Sequence, residues 1–188
     1  MGMTLYSKRL MLRLLEAGDA AEIEQIAGDK EIAETTLAIP HPYPAGASSA
    51  FIRRRQAAAA QGDGYSWTIR LKESGRLLGI IGLRIDKQHH HAELGYWIGK
   101  RYWGQGYCTE AAERVAAFVF EQLKLNKMFA AAMIKNPASS KVMEKIGMRH
   151  EGIFREHVYK DGQYEDLTYY SLLRSEYKPN FKLFNGIN

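Results

Sequence analysis

Residues 92–112 read AELGYWIGKRYWGQGYCTEAA and combine a strand, a glycine-containing loop and the start of a helix. From Ala92 to Ile98, the residues Leu94, Tyr96 and Ile98 alternate with Glu93, Gly95 and Trp97, which predicts a strand. From about Gln105 to Leu123 the apolar residues recur at helical spacing, which predicts an amphipathic helix. Gly104 and Gly106 let the backbone between them bend and come close to a ligand. The free N–H groups and the positive end of the helix dipole make this loop suitable for an anion such as phosphate.

The segments on either side of this unit predict a mixed β-sheet. Met128–Ile134 is a continuous apolar run, so strand, helix and strand form a crossover whose two strands are parallel. Tyr65–Leu71 and Leu77–Ile85 precede the unit as strands with short connections, which favours antiparallel hairpins. Met148–Leu173 follows as two strands with a turn at Lys160-Asp161-Gly162.

The remaining segments complete a single α/β (α+β) domain. Thr4–Leu15 alternates like one more strand, and Asp19 is placed to cap a first helix. Two further helices are predicted, from Ser48 to Gln61 and from Ser139 to Ile146. The result is a mixed six- to seven-stranded sheet flanked by about four helices. The domain is predicted to span residues 1–177, and residues 178–188 are predicted to form a loosely attached tail.

The composition fits a globular protein and excludes several other classes. The 188 residues are 46% hydrophobic and 25% charged, which excludes a disordered chain, a collagen-like repeat and a disulfide-rich miniprotein. The single cysteine, Cys108, cannot form an internal disulfide, so a reducing cytoplasm is expected. No apolar run approaches the roughly 20 residues of a membrane span, and Met1–Lys8 lacks the apolar stretch of a secretory signal. The net charge of +5 suits an anionic ligand, a nucleic acid or an acidic lipid surface without selecting among them.

Two common phosphate-binding motifs do not fit the glycine loop. The P-loop pattern Gly-x-x-x-x-Gly-Lys-[Ser/Thr] occurs nowhere in the chain. The dinucleotide pattern requires a third glycine where Thr109 stands, and it belongs early in a strand–helix array, whereas three strands precede this loop. By itself, Gly104-x-Gly106 is as consistent with a structural turn as with a ligand site.

The surroundings of the loop resemble the coenzyme-A signature of the GNAT N-acetyltransferase superfamily. Arg101-x-x-Gly104-x-Gly106 lies between the signature strand and Thr109-Glu110-Ala111. Asn136-Pro137-Ala138-Ser139, before a short helix, is similar to the family's second motif, Asn-x-x-Ser, with Met148 where Phe is usual. The opening segment SKRLMLR, residues 7–13, resembles the branch of ribosomal-protein-alanine N-acetyltransferases. The resemblance extends over residues 4–176.

The resemblance implies acetyl-CoA as co-substrate, no metal, and direct transfer of the acetyl group to an amine. The loop backbone is then expected to hold the pyrophosphate, and the end of the strand to line the pantetheine arm. Asn136 is expected to bond the pantetheine or the reacting region. The cofactor-binding residues implied are Trp97, Ile98, Gly99, Arg101, Tyr102, Trp103, Gly104, Gln105, Gly106, Tyr107, Asn136 and Ser139.

Acetyl transfer to an amine needs a base for the amine and an acid for the leaving thiolate. Ser139 is the family-matched candidate acid; Tyr102 or Tyr107 is the alternative, because a phenol of pKa ~10 is better matched to a thiolate than serine is. Glu93, on the signature strand, is the candidate base, acting directly or through water. The alternative for Glu93 is a solvated or salt-bridged strand carboxylate.

The acceptor is expected to be a primary amine, either a protein N-terminus or a small molecule such as a polyamine, an amino acid or an aminoglycoside. His41 and Tyr43 lie in the family's acceptor-side region, in a proline-containing loop that is alternatively only structural. Arg155 is a third candidate, and alternatively it forms a cross-strand pair with Asp166.

A binding module is the alternative to an enzyme. The same fold, in degenerate form, could sense coenzyme A or bind nucleic acid through basic residues such as Arg53-Arg54-Arg55. The positive charge is better explained by attraction of the coenzyme-A phosphates toward Lys100 and Arg101, so neither direct nucleic-acid binding nor a membrane is expected. Family members are often dimers, and a homodimer is one expectation, although no exposed apolar stripe is visible in the sequence.

Overall fold

The computed structural model of the chain describes residues 3–179. The eight β-strands in this range are β1 Thr4–Tyr6, β2 Leu10–Leu14, β3 Gly64–Leu71, β4 Leu77–Asp86, β5 His91–Ile98, β6 Lys127–Met133, β7 Arg149–Lys160 and β8 Gln163–Leu173. The five α-helices there are α1 Ala20–Ala27, α2 Lys30–Thr35, α3 Ala47–Gln61, α4 Tyr107–Ala117 and α5 Pro137–Lys145. Most of the predicted tail, residues 180–188, lies outside the described residues, and the domain boundary at residue 177 stays a prediction.

The strands form one mixed sheet in the order β1-β2-β3-β4-β5-β6-β8-β7. β5 and β6 are parallel neighbours joined by α4, which confirms the predicted crossover. The neighbouring pairs on both sides of this unit are antiparallel, as the short connections predicted. The α/β fold with a mixed sheet is therefore confirmed.

The sheet has more strands than predicted because Thr4–Leu15 forms two strands. The chain turns at residues 7–9, where the Ser7 N–H donates to the Leu10 carbonyl at 3.0 Å, and β1 pairs antiparallel with β2. Leu5 and Leu12 are both buried on the two sides of the turn. The apolar alternation therefore continues through the turn, and the sequence alone shows no break.

The predicted helices differ from the observed ones at their N-termini, with α5 beginning at Pro137 instead of Ser139, and one helix was not predicted. α2 has only six residues, too few for a helical period to be recognised. The N-cap of α3 is Gly46 (φ 75°), whereas Ser48 is buried inside the helix and donates to the Tyr43 hydroxyl at 3.3 Å. Asp19 precedes α1 as expected, but its carboxylate accepts hydrogen bonds from Arg13 and Arg70 instead of capping the helix.

The predicted long helix Gln105–Leu123 is also divided. α4 begins at Tyr107, after the glycine loop, and its continuation Phe118–Gln122 is a π-helical turn. No helix within residues 3–179 is both long enough and apolar enough to cross a membrane.

Helices pack on the two faces of the sheet and create two apolar clusters. On the α4 and α5 face, Trp67 is fully buried, and the ring of Phe118 packs edge-on against it with centroids 5.5 Å apart. On the other face, a smaller cluster includes Ile23 of α1, Ile52 of α3 and Trp97 of β5. Because successive side chains of a strand point to opposite faces, β5 contributes to both clusters.

Candidate active site

The parallel pairing between β5 and β6 stops early and opens a slot between the two strands. Within the described part of the chain, only residues 91–93 of β5 pair with β6, opposite residues 127–129. β5 continues to Ile98, and Gly95 on this stretch has open space where a side chain would lie. The backbone N–H and C=O groups on the slot side therefore lack a strand partner, and an extended ligand can bond to them.

The glycine loop lies between the end of β5 and the start of α4. Gly104 (φ 73°) and Gly106 (φ 78°) adopt the left-handed backbone conformation that favours glycine. Gly106 is also the N-cap of α4, and it has no side chain to cap the helix. The first N–H groups of α4 have no intrahelical acceptor, and they point toward the loop with the positive end of the helix dipole. This geometry suits a phosphate group.

Side chains of the loop add a buried hydroxyl and an exposed cation. Tyr102 is 8% exposed, and its hydroxyl has no hydrogen-bond partner among residues 3–179. The exposed guanidinium of Arg101 lies 4.9 Å from the centre of the Tyr102 ring. Trp103 Nε1 donates to the Ile98 carbonyl at 2.6 Å, which fixes the indole against the end of β5. A buried hydroxyl without a partner is uncommon, so Tyr102 fits a site that receives a polar ligand group.

The buried carboxylate of Glu110 fixes the start of α4. Glu110 is 7% exposed and accepts hydrogen bonds from the Ser7 hydroxyl at 2.8 Å and from the Arg9 Nε and backbone N–H at 2.7 Å each. Arg9 Nη1 also donates to the Gln105 carbonyl at 3.1 Å, and its guanidinium lies 4.4 Å from the centre of the Tyr107 ring. The β1–β2 turn therefore holds the glycine loop. The opening motif, residues 7–13, was noted in the sequence for its resemblance to a family branch, but the contacts of Ser7 and Arg9 with Glu110 were not predicted.

α2, which was not predicted, joins the glycine loop to the second motif. Asn136 caps α5 because its Oδ1 accepts from the Ser139 N–H at 3.2 Å, and its Nδ2 donates to the Thr35 carbonyl at 3.0 Å. Lys100 forms an ion pair with Glu31 of α2, and the hydrogen bond from Lys100 lowers the pKa of Glu31. Both ends of the Asn136 amide are already bonded to protein, so its expected contact with the pantetheine stays a prediction.

Ser139 is hydrogen-bonded to Tyr96, a residue that the sequence pattern placed in the core. The two hydroxyl oxygens are 2.9 Å apart, and either hydroxyl can be the donor. The Tyr96 hydroxyl oxygen also lies 3.0 Å from the Ser139 carbonyl oxygen, to which it can donate instead. Burial raises the pKa of Tyr96. The alternating sequence pattern of β5 does not reveal that the inward side chain of Tyr96 has a polar partner on α5. Of the tyrosines named as alternative acids, Tyr102 lies between β5 and α4, and Tyr107 is the first residue of α4.

Glu93 lies on the opposite face of β5 from Tyr96 and pairs with Arg84. The two residues are cross-strand neighbours on β4 and β5, and their side chains form an ion pair. These side chains are 32% and 73% exposed, so the pair contributes little to stability. Beside it is an open depression of about 530 Å³ that His91 and Phe129 also line. The salt-bridged alternative for Glu93 is thus present, and its role as base stays a prediction.

The residues expected to contact the acceptor come from two parts of the chain. His41 and Tyr43 lie in the loop between α2 and α3. This loop directly follows α2, the helix that contacts both Lys100 and Asn136. Arg155 is exposed on β7, within a stretch where the register with β8 shifts. The alternative that Arg155 pairs with Asp166 is wrong, because the Asp166 carboxylate instead accepts from the Glu156 backbone N–H at 2.7 Å.

The remaining candidates for chemistry do not join this site. Cys108 packs against the larger apolar cluster, as predicted, and burial raises the pKa of its thiol to about 12. The thiol therefore stays protonated near neutral pH and is a poor nucleophile. Between residues 3 and 179, His, Cys, Asp and Glu side chains nowhere form a group of three that could hold a metal ion.

Comparison with known proteins identifies the family. The profile of the acetyltransferase (GNAT) domain matches residues 9–149. The uncharacterized N-acetyltransferase p20 of Bacillus licheniformis is 30% identical over 175 residues, which cover 93% of this chain and 98% of the relative. The crystal structure of a GNAT-family acetyltransferase from Bacillus anthracis is 26% identical and superposes with a TM-score of 0.81 over 93% of this chain and 100% of that one.

Two further relatives are named for their acceptors. The ribosomal-protein-serine acetyltransferase of Escherichia coli K12 is 25% identical over 109 residues, 57% of this chain and 61% of the relative. The spermidine N(1)-acetyltransferase of Vibrio cholerae is 28% identical over 102 residues, 54% of this chain and 59% of the relative.

The crossover β5–α4–β6, with its glycine loop and slot, is the arrangement of an acetyltransferase domain. The chain belongs to the GNAT family, and it is an N-acetyltransferase.

We expect Glu110→Ala to lower the free energy of unfolding by about 1–3 kcal/mol, because Ser7 and Arg9 lose a charged hydrogen-bond acceptor in a buried site. Urea unfolding of the purified variant measures this. The matched control is Glu73→Ala, which removes an exposed carboxylate from the β3–β4 turn and should change stability by less than about 0.5 kcal/mol. Equal effects of the two substitutions would contradict a special role for Glu110.

Proposed function

We propose that this chain transfers the acetyl group of acetyl-CoA directly to a primary amine, either a protein N-terminus or a small-molecule amine. The observation that carries the proposal is the glycine loop before α4, placed beside the slot between β5 and β6. When bound, the donor supplies an activated acetyl thioester. The loop fits its phosphates, and the unpaired backbone of β5 fits its extended, amide-containing arm.

On the donor side, main-chain groups carry most of the binding. The backbone of Arg101–Gly106 and the first N–H groups of α4 bind the pyrophosphate, and Tyr102 offers its unpartnered hydroxyl. Main-chain groups of Trp97–Gly99 line the pantetheine arm. Gly99 lets the chain after β5 pack closely against α1, since a Cβ at that position would lie 2.8 Å from Ile26 Cγ2.

The proton transfers are divided between the two faces of β5. Glu93, on the face shared with α1 and α3, accepts the proton that the attacking amine loses, directly or through one water molecule. Ser139, on the α5 face, gives a proton to the leaving sulfur. No protein nucleophile takes part in a direct transfer, which agrees with the protonated state of Cys108.

A protein N-terminus is the acceptor that we favour. The opening motif, residues 7–13, resembles the ribosomal-protein branch, and one relative is named for a ribosomal protein. A polyamine is the competing acceptor, since another relative is named for spermidine. In both cases His41, Tyr43 and Arg155 are the residues that we expect to contact the acceptor beyond its amine.

A cytoplasmic homodimer is part of the same proposal. Exposed aromatic side chains occupy the β7–β8 hairpin, where Phe154, Tyr159 and Tyr164 are 50%, 67% and 65% exposed. The sequence alone did not reveal these exposed aromatic side chains. The lone Cys108 fits a reducing compartment. Light scattering of the purified protein distinguishes a dimer from a monomer.

A coenzyme-A sensor without activity is the second candidate, and the ion pair between Glu93 and Arg84 favours it because the proposed base is already engaged. The nucleic-acid version of this candidate is weaker. Arg55 of the arginine run is turned inward, where it donates to the Ser66 hydroxyl at 2.7 Å and the Leu83 carbonyl at 2.6 Å.

Two measurements separate these functions. Calorimetric titration with acetyl-CoA tests the donor site, and mass spectrometry after incubation with acetyl-CoA screens peptides of varied N-termini together with polyamines. Binding of acetyl-CoA together with acetylation of a peptide α-amine supports the protein N-terminus as acceptor. Acetylation of polyamines alone supports the acetyltransferase with a polyamine as its acceptor. Binding without transfer supports the sensor, and failure to bind acetyl-CoA excludes both.

We expect Glu93→Gln to lower kcat by roughly 10²–10⁴-fold, because the amide cannot accept the proton of the amine. Initial rates across pH measure this. Glu151→Gln is the matched control, since Glu151 is also a strand carboxylate in an ion pair, with Lys127. Near-normal turnover of Glu93→Gln at all pH values would remove Glu93 from the mechanism.

The association rate of acetyl-CoA should fall as salt rises, because the net charge of +5 attracts the phosphates over distances that salt screens. Stopped-flow binding between about 0.05 and 0.5 M NaCl measures the dependence. Arg101→Gln should weaken the dependence of the association rate on salt. A rate that is independent of salt would show that the charge has no part in donor capture.

A further inference from the structure

We propose that Tyr96 is a positioning residue for the general acid Ser139, an inference that rests on the proposed function. The observation is the pair of short contacts from the Tyr96 hydroxyl, 2.9 Å to Ser139 Oγ and 3.0 Å to the Ser139 carbonyl oxygen. Neither the family resemblance nor the alternation of β5 marked Tyr96 as part of the site.

The location of this contact ties it to the slot. Tyr96 lies three residues beyond Glu93, the last residue of β5 that pairs with β6. Ser139 lies in the first turn of α5, which follows β6 directly. The contact therefore connects the two sides of the slot at a level where the sheet hydrogen bonds between them have ended.

The backbone of Ser139 is also fixed. The Ser139 N–H donates to Asn136 Oδ1 at 3.2 Å, and Asn136 is itself held to the end of α2 through the Thr35 carbonyl. With the main chain held in this way, the bond to Tyr96 determines where the Ser139 hydroxyl proton can point.

Counting protons shows what Tyr96 contributes. Each hydroxyl has one proton, and the Ser139 carbonyl can only accept. If Tyr96 donates to the carbonyl, Ser139 can donate to Tyr96, and its proton then points away from any ligand. If Tyr96 donates to Ser139 Oγ, the serine proton is left for a ligand in the slot. A leaving thiolate attracts that proton and so selects the second arrangement.

In the transfer step, the Ser139 O–H bond breaks as the S–H bond of coenzyme A forms. The negative charge that develops on Ser139 Oγ is stabilised by the Tyr96 O–H, because a hydrogen bond to a charged acceptor is stronger than one to a neutral acceptor. Ser139 then recovers a proton from the solvent, which has received the proton that the amine lost to Glu93, so the protons of the transfer balance. Tyr96 keeps its own proton throughout, since burial disfavours the phenolate and the nearby Cys108 is neutral for the same reason.

Kinetics of Tyr96→Phe, Ser139→Ala and the double variant test this inference. Tyr96→Phe keeps the ring, and we expect it to lower kcat about 10- to 100-fold while the KM for acetyl-CoA changes by less than about 2-fold. The double variant should be no slower than Ser139→Ala, since Tyr96 acts only through the serine hydroxyl. Tyr65→Phe is the matched control. Tyr65 is a partly buried tyrosine that packs against Phe118 in the larger apolar cluster, and its variant should retain kcat.

The outcomes separate this inference from the proposed function. Wild-type kcat in Tyr96→Phe, or losses that multiply in the double variant, overturn the role of Tyr96 and leave the acetyltransferase intact. A rise in KM with unchanged kcat also overturns it, because Tyr96 would then only shape the donor site. If the wild-type protein binds acetyl-CoA and releases no thiol with any amine, the proposed function fails and this inference fails with it.

Discussion

The parallel pairing of β5 with β6 ends after residues 91–93, and the rest of the site depends on this limit. A fully paired β5 would use its backbone groups within the sheet and leave no entry between the two strands. Because this pairing stops, the edge of residues 94–98 that faces away from β4 has backbone groups without a strand partner, although the Ile98 carbonyl accepts from Trp103 Nε1. The crossover helix α4 then places its N-terminus next to the same strand end, so one topological feature supplies both an extended binding edge and an anion site.

The two faces of β5 give the slot two chemical environments. On one face, Tyr96 and Ser139 form a hydroxyl pair that is shielded by α5, and burial keeps Tyr96 in its neutral form. On the other face, Glu93 is near solvent and paired with Arg84. In the mechanism that we propose, the shielded side supplies the acid for the leaving thiolate and the open side supplies the carboxylate for the entering amine.

The sequence predicts the fold and the position of the glycine loop well because both depend on local patterns. The period of two in β5, the helical period in α4 and the two glycines are visible without any tertiary information, and the crossover follows from them. The turn at Ser7 and the short α2 were missed, since the first keeps the apolar alternation and the second is too short for a period. The contacts of Glu110 with Ser7, of Asn136 with Thr35 and of Tyr96 with Ser139 join residues that are 103, 101 and 43 positions apart, so no local pattern reveals them. The acceptor residues are the least predictable part, because they lie on loops and strand ends that no single motif joins.

The most direct test of the central claim is amide hydrogen exchange measured with and without acetyl-CoA. The account predicts that acetyl-CoA slows exchange in two segments, the loop and first turn of α4 at residues 103–109 and the slot side of β5 at residues 94–98, because these N–H groups gain acceptors on the ligand. Residues 67–70 of β3, which pair with strands on both sides, should not change. Protection confined to other parts of the chain, or no protection at saturating acetyl-CoA, would contradict the account.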